Sequence, residues 1–134
     1  MTDTFLIACL ACAATLFVAG CQAMQSETAR AETIRYLGVQ TKMLTSDLVQ
    51  FHVTLSGTDN AKAVEDYAKC AAAQYTLIRG FGFARHVRTR VGRDGVRWNA
   101  DAVYTVSAGL PNGLKTLDAE VVADSCKLNE IPMV

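Results

Sequence analysis

Leu48-Val49-Gln50-Phe51-His52-Val53-Thr54-Leu55 and the alanine-rich stretch that follows it, Ala61 to Ile78, decide the fold. Val49, Phe51, Val53 and Leu55 recur at every second position, with Gln50, His52 and Thr54 between them. Period two is the spacing at which a strand turns one face to a core and the other to water. Ser56-Gly57-Thr58-Asp59-Asn60 ends the alternation with turn residues and offers a helix N-cap. The period then changes. Val64, Ala68, Ala71, Tyr75 and Ile78 fall on one helical stripe, while Lys62, Glu65, Asp66 and Lys69 fall largely on the other side. Ala71-Ala72-Ala73 favours helix and lets it approach a sheet closely. Gly80 and Gly82 end it.

Downstream, Phe81, Phe83, Arg85, Val87, Thr89 and Val91 alternate with Gly82, Ala84, His86, Arg88 and Arg90. Gly92-Arg93-Asp94-Gly95 reads as a hairpin turn, and Val96 to Gly109 as the returning strand, stopped by Leu110-Pro111-Asn112-Gly113. A two-residue loop at Arg93-Asp94 pairs Val91 with Val96, Thr89 with Trp98 and His86 with Asp101, and sets Arg90 beside Arg97. Thr116 to about Asn129 reads as a second helix, with Leu114, Leu117, Val121, Leu128 and Ile131 at helical spacing. A strand over Leu117, Ala119 and Val121 is the alternative. Upstream, Thr33 to Leu44 fits either strand or helix. The order of elements predicts an α+β fold, a small antiparallel sheet packed against two helices, in one domain over residues 33–134.

The N-terminus is of another kind. Phe5 to Gly20 carry no charge, a length that suits a signal-peptide apolar region better than a membrane span. It ends in Val18-Ala19-Gly20-Cys21, which resembles the lipobox of bacterial lipoproteins. The family prefers Leu where Val18 stands, and Met1-Thr2-Asp3-Thr4 carries none of the Lys or Arg usual before such a region. The resemblance implies a signal peptide over residues 1–20, lipid attachment at Cys21 and a polar tether over residues 21–32. Several acyl chains make attachment effectively permanent, since each buried CH₂ contributes about 0.8 kcal/mol. Gln22, rather than Asp, follows the cysteine, which by the same resemblance implies the outer membrane, with the domain facing the periplasm. The Ala-rich helix carrying a cysteine, then a Gly-Phe pair and a strand, also resembles small proteobacterial envelope lipoproteins. More loosely, the arrangement is similar to envelope-stress sensor lipoproteins.

The resemblance implies that Cys9 and Cys12 leave with the signal and that Cys21 takes the lipid, which leaves Cys70 and Cys126, in an oxidising compartment, as one expected disulfide. A redox or zinc site is the competing reading, although neither cysteine lies in a C-x-x-C motif. No metal or cofactor is expected. Thirteen Lys and Arg balance thirteen Asp and Glu in the 134 residues, which argues against a dedicated nucleic-acid binder. Arg85, His86, Arg88, Arg90, Arg93 and Arg97 form the one dense cluster of a single sign. Arg88, Arg90 and Arg97 share a strand face and suit an anion, because paired guanidinium groups bind phosphate or carboxylate bidentately. A solvated hairpin face that discourages edge pairing is the plainer alternative. His86 opposite Asp101 is a possible oriented imidazole, yet the sequence places no nucleophile there. The expected function is therefore non-enzymatic: a periplasmic envelope protein, held to the membrane by its lipid, that binds another envelope component or an anionic ligand through the Arg-rich hairpin. A small periplasmic hydrolase or redox enzyme, or a structural subunit of an envelope assembly, is the alternative.

Overall fold

The computed structural model describes residues 33–134, so the signal peptide, Cys21 and the tether over residues 21–32 lie outside the described residues. The described chain runs β1 (Arg35–Met43), β2 (Leu48–Ser56), α1 (Ala61–Ile78), β3 (Phe83–Asp94), β4 (Arg97–Ser107), β5 (Thr116–Asp118) and α2 (Ala119–Leu128). All strand pairs are antiparallel, in the order β1-β2-β4-β3-β5. The fold is α+β, a five-stranded sheet with two helices, and among the described residues neither helix is long and apolar enough to cross a membrane.

β2 and α1 follow their sequence signals closely. Val49, Phe51, Val53 and Leu55 are fully buried, whereas His52 between them is exposed. Asn60 caps α1 by accepting from the Lys62 amide at 2.9 Å. Ala68, Ala71 and Ala72 meet Ala100 and Ala102 of β4 in one fully buried cluster, and these small side chains let helix and sheet backbones come close. Phe51 fills the space beside them, edge-on to Tyr75 and Tyr104. Ile78 departs from the expected stripe. It is 64% exposed at the helix end.

Thr33 to Leu44 resolves in favour of strand, giving β1 as an edge of the sheet. Between β2 and α1, Gly57 holds φ +87°, and a Cβ there would lie 2.2 Å from the carbonyl oxygen of Thr33. Only glycine fits that approach.

Expectations for the hairpin and for the second helix are corrected. The hairpin turn lies at Gly95-Val96, not Arg93-Asp94, so Asp94 pairs with Arg97, Arg93 with Trp98 and Arg90 with Asp101. Gly95, with φ +59°, supplies the positive angle that a two-residue hairpin turn requires at its first central position. A bulge between His86 and Arg88 then sets His86 opposite Tyr104, so the expected His86–Asp101 contact does not form. The second helix starts at Ala119 rather than Thr116, because Thr116–Asp118 pair with Phe83–Arg85. Its packed face is Ala119, Ala123 and Cys126, while Val121 and Leu128 are exposed at 66% and 85% and Leu114 at 90%. The small-residue face wins because α2 lies against α1, where Cys126 is joined to Cys70 with Sγ atoms 2.02 Å apart.

Candidate functional site

α1 occupies one face of the sheet, so alternation along each strand sends a second set of side chains to the far face. Register then assembles that set. Gln40, His52, Asp101 and Arg90 form one row across β1, β2, β4 and β3, and Lys42, Gln50, Val103 and Arg88 form the next. Arg97 stands at the end of the face, opposite Asp94 on β3 and Ser56 on β2. Arg88, Arg90 and Arg97 therefore share a face, but Arg90 lies beside Asp101 and not beside Arg97 as expected.

Asp101 is the centre of this surface. Gln50 Nε2 donates to Asp101 Oδ2 at 2.7 Å from one flank, and an Arg88 guanidinium nitrogen donates to Oδ1 at 3.4 Å from the other. At 40% and 33% side-chain exposure, the Arg88–Asp101 pair stabilises the fold by no more than about 1 kcal/mol. It does, however, set the direction of Arg88. Among the described residues Arg85, Arg90 and Arg97 have no ion-pair partner, and all three are exposed. With Lys42 they give the far face a cationic excess over Asp94 and Asp101. Residues two apart on a strand are about 7 Å apart, so Arg88 and Arg90 can grip neighbouring oxygens of one multiply charged anion. A recess of about 460 Å³ lined by Gln40, Thr41, Lys42, Gln50 and His52 lies at the β1 side of this face.

The other face holds a cleft that the sequence did not announce. The bulge at Val87 aims His86 toward α1, where it lines a space of about 330 Å³ with Glu65, Asp66, Lys69, Thr89, Tyr104, Lys115, Thr116 and Leu117. His86 Nε2 lies 2.7 Å from Thr89 Oγ1, and its ring meets Tyr104 edge-on at 5.2 Å. Burial holds the His86 pKa below its ordinary value, helped by the Lys115 charge and opposed by Glu65. Burial, then the charges of Glu65 and Asp66, pushes the Tyr104 phenol well above its usual range. Burial also raises Asp66, but hydrogen bonds from Lys62 and Lys69 outweigh it and hold that carboxyl low. Tyr104 and His86 come from the hairpin, Glu65 from α1 and Lys115 from the connection before β5. No periodic signal marks their meeting: plain alternation sets His86 on the face of Arg88 and Arg90, and only the bulge turns it inward.

Cys70 and Cys126 join α1 to α2 beside a groove of about 470 Å³ that Val121, Val122 and Ile131 also line. Among the described residues no three His, Cys, Asp or Glu side chains gather as a metal site.

Residues 36–130, from inside β1 to just past α2, match the family model of the YNQ4 C-terminal domain. The chain belongs to the YNQ4 C-terminal domain family. A protein described as an uncharacterized 26.9 kDa protein in the nqo8 5′ region of Paracoccus denitrificans is 31% identical over 85 residues. That alignment covers 63% of this chain and 33% of the Paracoccus protein, so the chain matches about a third of its relative's length. No solved structure matches. The YNQ4 C-terminal domain thus contains both the basic far face and the His86 cleft.

Proposed function

We propose that this protein is a lipid-anchored, non-enzymatic envelope component that binds an anionic partner through the far face of its sheet. The observation that carries the binding role is the cationic excess of that face. Arg85, Arg90 and Arg97 have no ion-pair partner among the described residues, although Asp101 and Asp94 stand opposite Arg90 and Arg97, and Arg88 is paired with Asp101. Rigid strands present these guanidinium groups at fixed spacing, which favours recognition of phosphate or carboxylate groups on a larger molecule.

The anchor is supported by the uncharged run Phe5 to Gly20 and by the lipobox resemblance at Val18-Ala19-Gly20-Cys21. Gln22 supports the outer membrane as its location, with the domain facing the periplasm.

Two experiments test the two halves. Cross-linking in intact envelopes should give a discrete adduct that is lost when Arg88, Arg90 and Arg97 are all replaced by Glu. Adducts unchanged by the triple replacement would sink the basic-face role. The intact mass of membrane-extracted protein should report cleavage before Cys21, added acyl mass and the two-hydrogen deficit of one disulfide. A mass without acyl groups would sink the anchor.

A further inference from the structure

The His86 cleft lies on the opposite side of the sheet from the basic face and carries both signs of charge. Glu65 projects from the second turn of α1 and has no ion-pair partner among the described residues. Lys115 is likewise without one, and both charges are felt at His86. Lys69 is engaged by Asp66 at 3.1 Å, which leaves Lys115 as the available ammonium.

The position of Lys115 is held firmly. Its carbonyl accepts the His86 amide at 3.0 Å, and its φ of +65° is a left-handed angle that a lysine adopts at a cost. The same backbone bond ties Lys115 to the strand bulge that aims His86. His86 Nε2 is occupied by Thr89, so Nδ1 remains for a ligand. Burial lowers the pKa of the ring, which disfavours a second cation in the cleft. Leu117 supplies an apolar wall.

We propose that this cleft binds a small zwitterion of the free α-amino-acid type, its carboxylate at Lys115 and its ammonium at Glu65. A simple anion would meet the Glu65 carboxylate and a simple cation the Lys115 ammonium, whereas a ligand bearing both signs satisfies each. About 330 Å³ is at the small end of ligand pockets and suits an amino acid with a short side chain. The Tyr104 hydroxyl and His86 Nδ1 then take the remaining polar contacts. This site is independent of the anionic partner proposed for the far face.

The test is calorimetric titration of the detergent-extracted full chain with L-alanine, N-acetyl-L-alanine and L-alanine amide. Binding of L-alanine at millimolar or lower concentration, weakened about tenfold or more by blocking either end, is the expected result. Glu65→Gln should remove the discrimination against N-acetyl-L-alanine, and Lys115→Met the discrimination against the amide. Both side chains are exposed, so both variants should keep their fold, as checked by circular dichroism. No binding of L-alanine, or equal binding of the blocked forms, would overturn the proposal. So would loss of alanine binding on replacing Arg88, Arg90 and Arg97 by Glu with the cleft unchanged.

Discussion

Gly57 shows how one residue fixes the junction between the edge of the sheet and α1. An alanine there would hold a strained φ and drive its Cβ into the Thr33 carbonyl. Gly57→Ala should therefore cost about 1–3 kcal/mol, read as a lowered midpoint in urea unfolding, whereas the unobstructed exposed Gly109 should tolerate alanine with little change. His86 gives a second prediction at this scale. Its folded pKa lies below the ordinary 6.5, so the folded state holds fewer protons than the unfolded chain as pH falls through that value. Stability should decline with falling pH between 6.5 and the depressed folded value, and His86→Gln should remove that part of the slope. Ring resonances of His86 should titrate below those of a free imidazole. Titration at or above 6.5 would contradict the burial that defines the cleft.

Among the elements, β2 and α1 were legible because their residues and their environments agree. Alternation of Val49, Phe51, Val53 and Leu55 has one structural solution, and Asn60 followed by an alanine-rich stripe has another. The hairpin was legible as a hairpin but not in register. Moving the turn from Arg93-Asp94 to Gly95-Val96 shifts it by two residues, which preserves every inward and outward assignment near the turn. Alternation therefore cannot distinguish the two, and Gly95 decides. The bulge at Val87 then exchanges faces upstream, which no periodic signal marks. In α2 the large aliphatic residues misled, since Ala119, Ala123 and Cys126 pack on α1 and Val121 and Leu128 do not. That contact is closed by Cys70 and Cys126 across a sequence separation of 56. Replacing both cysteines by Ser should lower stability by roughly 4 kcal/mol at most, by the chain-entropy relation for a loop of this length. The loss should be read by urea unfolding of oxidised wild type against the double variant. Protection of α2 amides from exchange should fall before that of β2, because α2 has few contacts with the sheet. Equal protection of the two elements in the double variant would contradict this picture.

For the molecule as a whole, one sheet separates two chemistries. Toward α1 lie the apolar core and, at its margin, a small cleft with charges of both signs. Away from α1 lies a polar surface dominated by arginine. The sequence revealed the basic residues, because Arg85 to Arg97 are close along the chain. It could not reveal Gln50 as a holder of Asp101, or the meeting of Glu65, His86, Tyr104 and Lys115, since those groups converge only through strand order and the bulge. The most direct measurement is an amide NMR map of the full chain in neutral detergent, titrated with inorganic tripolyphosphate at low salt. Recognition through the far face requires shifts at Arg88, Arg90, Arg97, Asp101 and His52 that fade as salt is raised, with α2 unmoved. Shifts confined to α2 or to the cleft, or no shifts at low salt, would contradict it.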